Sequence, residues 1–261
     1  MPRFAANLTM LFTELPFLDR FAAASAAGFR GVECMFPGDH PPQALAERLR
    51  EAGLEQVLLN LPAGDWARGD RGIACQPGRE GEFRDSVGQA LAYARALGCT
   101  RLNCLAGIAP EGVPAERVEA ALVSNLRFAA REVGKEGITL LLEAINTRDV
   151  PGAFVSTTRQ ALAILDAVGE PNLRYQYDIY HMQRAEGELA ETLRACLSRI
   201  GHVQLADNPG RHEPGTGEIR FEFLMPFLDR LGYPGWVGCE YRPATTTKAG
   251  MGWMARYAAG P

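Results

Sequence analysis

Thr139-Leu140-Leu141-Leu142-Glu143, the stretch Thr158–Val168 and Arg174-Tyr175-Gln176-Tyr177-Asp178 follow one another in the middle of this chain. The first and last read as short buried strands, each an apolar or aromatic run closed by one acid. The stretch between them is amphipathic and alanine-containing, so the three form a strand–helix–strand unit, the connection that joins parallel neighbours in a sheet. The same alternation continues in both directions. Strands are predicted at Phe4–Leu8, Gly31–Met35, Glu55–Leu59, Arg101–Leu105, Thr139–Glu143, Arg174–Asp178, His202–Leu205 and Trp236–Glu240, and helical stretches at Pro16–Ala27, Gln43–Ala52, Glu82–Leu97, Ala115–Val133, Thr158–Val168, Glu188–Arg199 and Phe221–Leu231. Eight βα units in 261 residues match the count and length of a closed parallel barrel, and the predicted fold class is α/β, a single (β/α)8 TIM barrel over residues 1–261. A doubly wound sheet of this length would usually carry a glycine-rich phosphate turn, and neither GxGxxG nor GxxxxGK[ST] occurs.

Composition narrows the chemistry. A formal net charge of -4 repels nucleic acid and anionic lipid. No apolar run approaches the ~18 residues of a membrane span, and Met1-Pro2-Arg3-Phe4 runs straight into a strand pattern, so a cytoplasmic chain with no membrane or nucleic-acid partner is expected. The six cysteines show no CxxC spacing, which argues against a disulfide framework. Only Lys135 and Lys248 are lysines, and neither falls at a strand end, which removes Schiff-base chemistry. Nothing in the pattern fixes an oligomeric state, and a homo-oligomer is compatible with it.

In a barrel the C-terminal strand ends form the active-site mouth. Three of the last four strands end on Glu143, Asp178 and Glu240, and in the seventh His202-Val203 leads to Gln204, each about one βα unit after the last. Three converging carboxylates would repel one another without a cation between them, and an oxygen-only set suits a hard ion, so a divalent metal, Mg2+ or Mn2+, is predicted with these four residues as ligands. His181, three residues past Asp178, would reach a bound substrate oxygen. Arg211, in the turn-rich segment after the seventh strand, offers a cation to an anionic substrate group. One connection is unusually long, from Asn60 to about Gly81; it carries Trp66 and Arg71 and is expected to act as a functional lid.

The stretches Arg3–Leu8, Gly28–Glu33, Asn60–Trp66, Arg71–Cys75, Pro77–Glu80, Tyr177–Arg184 and Gly238–Tyr241 together resemble the hydroxypyruvate isomerase family, within the xylose-isomerase-like barrels that also include endonuclease IV and the tagatose epimerases. The resemblance implies that Glu143, Asp178, Gln204 and Glu240 are metal positions, that Glu143 and Glu240 transfer the proton, and that His181 orients the substrate; Asn60, Trp66 and Arg71 are expected to contact it from the long loop. Where the epimerases usually carry histidine, Gln204 agrees with the isomerase branch. The implied substrate is a small hydroxy-oxo acid; a 2-oxo-tetronate is the longer alternative. An endonuclease IV-like activity fits poorly with only four histidines, His40, His181, His202 and His212.

Overall fold

The eight apolar runs become eight parallel strands that close on themselves in chain order: β1 (Arg3–Asn7), β2 (Gly31–Cys34), β3 (Glu55–Asn60), β4 (Arg101–Cys104), β5 (Thr139–Glu143), β6 (Leu173–Asp178), β7 (Ile200–Leu205) and β8 (Trp236–Cys239), with β8 paired back onto β1. The computed structural model describes residues 2–258. Around the strands lie α1 (Arg20–Ala26), α2 (Pro42–Ala52), α3 (Glu80–Leu97), α4 (Ala115–Gly134), α5 (Thr158–Val168), α6 (Ile179–Ala185), α7 (Leu189–Cys196), α8 (Phe221–Arg230) and α9 (Ala255–Ala258).

Local chemistry accounts for the sharpest boundaries. The Thr157 hydroxyl accepts from the Gln160 backbone N–H while the Gln160 side chain returns to the Thr157 backbone, a capping box that starts α5, and Gly169 ends it in the left-handed conformation at φ 72°. Where the sequence predicts one helix over Pro16–Ala27, the structure places a 3-10 turn at Phe17–Asp19 ahead of α1. Glu188–Arg199 likewise divides into α7 and a 3-10 turn, Leu197–Arg199. α6 was not expected at all. Asn60 ends β3 rather than opening the loop, and Gly81 lies inside α3.

Ala5, Val57, Leu58, Leu141 and Trp236, all on strands, form a small apolar cluster separate from the main core. Polar side chains occupy the interior, since His202 on β7 bonds Glu33 on β2, strands that are not neighbours and can meet only across the lumen. The six cysteines are buried and free. Among the described residues no helix is long and apolar enough to cross a membrane.

Candidate active site

Glu143 closes β5, Asp178 closes β6 and Glu240 follows the last residue of β8, so the three acids gather at the C-terminal mouth of the barrel. Each is held differently. Asn103 Nδ2 and Gln176 Nε2 both donate to Glu143 Oε2, at 2.8 and 3.0 Å, which leaves Oε1 turned toward His181 Nε2 at 3.9 Å. Asp178 is the N-cap of α6: its Oδ1 accepts from the backbone N–H groups of Tyr180 at 2.8 Å and His181 at 3.3 Å. Its Oδ2 faces Arg211 Nη2 at 3.5 Å and His181 Nε2 at 3.7 Å. One acid therefore starts a helix with one oxygen and serves the site with the other. Glu240 is pinned to β7 by its backbone N–H, which donates to the Leu205 carbonyl at 3.1 Å, and its Oε1 lies 3.2 Å from Arg211 Nη2.

His181 sits in the first turn of α6, with its ring buried. The Asn146 amide decides which ring nitrogen carries the proton. Asn146 Oδ1 accepts from the backbone N–H groups of Arg148 and Asp149, at 3.1 and 2.9 Å, so its Nδ2 is the group that meets His181 Nδ1 at 2.6 Å. A donor there requires a lone pair on Nδ1, which puts the hydrogen of the neutral ring on Nε2, facing Glu143 and Asp178. Burial, together with the Arg211 and Arg184 charges, holds the His181 pKa well below the usual imidazole range. The ring is thus a neutral donor aimed into the site.

Arg211 is turned inward, where it answers both Asp178 and Glu240. Its loop is stapled by the fully buried Asp207, whose two oxygens accept backbone N–H groups from Asn208, Ile219, Gly215 and Gly217. Arg211 itself adopts φ 56°, a backbone conformation that non-glycine residues seldom take, and its carbonyl accepts from the Arg242 N–H at 2.8 Å.

Asp178 and Glu240 thus share one guanidinium, and the buried Glu143 has none in contact among the described residues. Burial raises the Glu143 pKa well above the carboxylate range, with Glu240 and Asp178 adding to the effect. Burial likewise pushes Glu240 up to about 8, against the pull of Arg211. Asp178 is raised by burial despite Arg211 and the α6 amides. A dense, oxygen-bearing, under-neutralised cluster of this kind fits a hard divalent cation. Glu143, Asp178 and His181 present donor atoms within 4.8 Å of one another and could hold an ion. Since His181 turns an N–H rather than a lone pair inward, the oxygens are the better ligands.

Gln204 is buried on β7 beside Asp178, its register partner on β6. Its Nε2 donates to Glu33 Oε1 at 2.8 Å and its Oε1 accepts from Gln176 Nε2 at 2.7 Å. The predicted substrate contacts fall round one cavity of about 640 Å3, lined by Asn60, Trp66 and Arg71 as well as by Glu143, His181, Arg211 and Glu240. Trp66 is 44% exposed on a 3-10 turn, and Arg71 stacks on its ring at 4.2 Å while donating to the Trp66 and Asp70 carbonyls. Asn60 Oδ1 accepts from Asn103 Nδ2 at 3.4 Å.

Sequence reasoning missed Asn103, Gln176 and Asn146, and it missed Arg148, Arg184 and Arg242, which add three more cations to the cavity wall. Strand periodicity could have found Gln176, which stands two residues before Asp178 and so shares its facing.

Residues 21–257 match the family model of the xylose isomerase-like TIM barrel. The chain belongs to that family. It is 56% identical to "Hydroxypyruvate isomerase" of Escherichia coli over 98% of this chain and 100% of that protein, and 48% identical to "2-oxo-tetronate isomerase" of Cupriavidus necator over 98% and 99%. A solved structure from Brucella melitensis, named as an AP endonuclease of family 2, superposes with a TM-score of 0.96 at 45% identity, covering 98% of this chain and 99% of that one. Similarity of this extent makes the chain an isomerase of the xylose isomerase-like barrels.

Proposed function

We propose that this barrel interconverts hydroxypyruvate and tartronate semialdehyde. The observation that carries the reading is a pair of glutamates, the buried Glu143 and the largely shielded Glu240, gathered with Asp178 at the strand ends and both with pKa values raised by burial in the metal-free site, Glu240 to about 8. The reaction moves a hydrogen between adjacent carbons. A proton leaves C3, an enediolate is held, and a proton is returned to C2, while the hydroxyl proton is lost from O3 and one is gained at O2, in the same sense. Carboxylates that burial makes readier to accept a proton than an exposed one can take up and return such protons. One of the two glutamates removes the C3 proton and the other delivers a proton to C2.

Glu143, Asp178, Gln204 and Glu240 would hold Mg2+ or Mn2+, which when bound supplies Lewis-acid stabilisation for negative charge on the substrate oxygens. The chain's own groups do the rest. His181 donates its Nε2–H to a substrate oxygen and, being neutral, keeps that hydrogen bond without surrendering a proton. Arg211 and Arg71 receive the carboxylate. The loop bearing Trp66 closes over the mouth and keeps water from the enediolate. A small acid rather than a nucleic acid is the ligand, since the site lies in a cavity within an acidic chain and contains one histidine, His181. We place the enzyme in the cytoplasm.

The second reading is a four-carbon substrate, a 2-oxo-tetronate. It is favoured by a cavity of about 640 Å3, roomy for a three-carbon acid, and by the relative of that name at 48% identity. A coupled assay on both substrates, with and without chelator, tests the proposal. The expected result is a higher kcat/KM on hydroxypyruvate, lost on chelation and restored by Mg2+ or Mn2+. A preference for the tetronate would move the assignment to the second reading.

A further inference from the structure

Behind the acidic rim lies a row of polar side chains, among which Glu33, Asn7, His202, Gln176 and Asn103 have no part in the proposed chemistry. Glu33 on β2 is completely buried, yet its carboxylate accepts three side-chain hydrogen bonds: Asn7 Nδ2 at 3.0 Å and Gln204 Nε2 at 2.8 Å on Oε1, and His202 Nε2 at 2.7 Å on Oε2. From Gln204 the row continues to β6 and β5. Gln176 Nε2 donates both to Gln204 Oε1 and to Glu143 Oε2, and Asn103 Nδ2 donates to the same Glu143 oxygen.

The backbone is shaped to admit this row. The β2–β3 register shifts between Val32 and Glu33, and the β6–β7 register shifts between Tyr175 and Gln176, so an irregularity falls at each of two of its members. Such irregularities re-aim side chains near active sites. On the facing strand stands Gly238, where any Cβ would overlap the Glu33 carboxylate.

An amide ligand differs from a carboxylate in having a wrong end. Its oxygen can face a cation, its NH2 cannot, and the two are nearly equal in size, so hydrogen bonding alone decides which way the group lies. We propose that Glu33 is a positioning residue which, by accepting the Gln204 N–H, keeps the Gln204 oxygen available to the metal site and its NH2 turned away. Gln176 completes the arrangement from the other side by donating to that oxygen. This rests on the proposed placement of Gln204 among the metal ligands, and it assigns Glu33 no contact with substrate or metal.

The test is Mn2+ affinity, measured calorimetrically on the substrate-free protein, for Glu33→Gln, Gln204→Glu, Gln204→Ala and the double variant Glu33→Gln/Gln204→Glu. The neutral amide introduced by Glu33→Gln no longer dictates the Gln204 orientation, so this variant alone should weaken Mn2+ binding by about 10–100-fold, the usual cost of losing the support behind a ligand. A glutamate at position 204 has no wrong end and would face Glu33 as a like charge. Adding Glu33→Gln to Gln204→Glu should therefore strengthen binding, by relieving that repulsion and donating an N–H to the new carboxylate. The sign of the Glu33→Gln effect reverses between the two backgrounds. Weakening in both would mean that Glu33 acts merely as a distant negative charge and would overturn the inference. If Gln204→Ala binds Mn2+ as tightly as the parent, Gln204 is no ligand, and that part of the proposed metal set falls together with the inference; loss in Gln204→Ala without sign reversal overturns the inference alone. Melting curves in chelator check that each variant is folded. Should Glu33→Gln fail to fold, Glu33→Asp keeps the charge but draws the acceptor back from Gln204; about tenfold weaker Mn2+ binding supports the positioning role, and unchanged binding contradicts it.

Discussion

Glu33 and Glu240 are both side chains shielded within one barrel, and they are treated in opposite ways. Glu33 is surrounded by donors from Asn7, Gln204 and His202. Glu240 has one cation, Arg211, which it shares with Asp178, and it lies in a cluster where burial and neighbouring acids push its pKa to about 8. A buried carboxylate whose lone pairs are filled stabilises the fold; one whose partners are too few is held ready for a cation, a proton or a substrate. The contrast separates a supporting layer from a reacting layer a few side chains apart.

The largest effect should come from the reacting layer. Glu143→Gln and Glu240→Gln keep size and a ligating oxygen but remove the base, so each should lower kcat by at least ~100-fold, with the double variant little worse than the poorer single. In chelator their melting temperatures should be unchanged or higher, because a carboxylate that must take up a proton to stay shielded has been replaced by a neutral amide. Glu33→Ala should do the reverse in stability: it strands three buried donors and is expected to cost roughly 3–5 kcal/mol, read from denaturant unfolding. A stable Glu33→Ala beside a destabilised Glu240→Gln would break the comparison.

The pH dependence sharpens it further. Glu240 titrates near 4.5 when unfolded and at about 8 in the folded, metal-free protein, so between these values the folded state holds the extra proton. Stability in chelator should fall as pH rises through that window and level off above about 8. Since a cation displaces those protons, Mn2+ affinity should rise with pH over the same range. Calorimetry at pH 6 and pH 8 in buffers of different ionisation enthalpy would reveal the released protons, and a flat profile would mean that the cluster is already ionised.

The smallest effect belongs to the loop. Among the described residues Arg71 is bonded only to its own loop backbone and to the Trp66 ring, so Arg71→Ala should raise KM severalfold with little change in kcat or melting temperature. Unchanged kinetics would leave the carboxylate to Arg211 or to the cavity arginines that sequence reasoning overlooked.

Much of this was legible in the chain because the decisive features are local. β5 and α5 have the predicted limits, since an aliphatic run and a capping box announce themselves within a few residues. Strand-end position likewise brought Glu143, Asp178 and Glu240 to one rim. α6 escaped notice because its seven residues begin directly on Asp178, too short a segment for a periodic signal. Glu33 escaped because its partners His202 and Gln204 stand 169 and 171 residues away, a proximity that only barrel closure creates. The inward turn of Arg211 depends on the Asp207 staple and was no more visible.

The central claim, an enediolate handled by two glutamates, is tested most directly by running the reaction from hydroxypyruvate in D2O with Mn2+ present and following deuterium at C2 of the product by NMR. The account predicts deuterium at C2 with the parent enzyme, since a glutamate that takes a proton from C3 can exchange it with solvent before one is delivered to C2, and turnover slowed at least ~100-fold in Glu143→Gln and Glu240→Gln. Product carrying strictly no solvent deuterium under any condition, formed at near-parent rates by both variants, would contradict it.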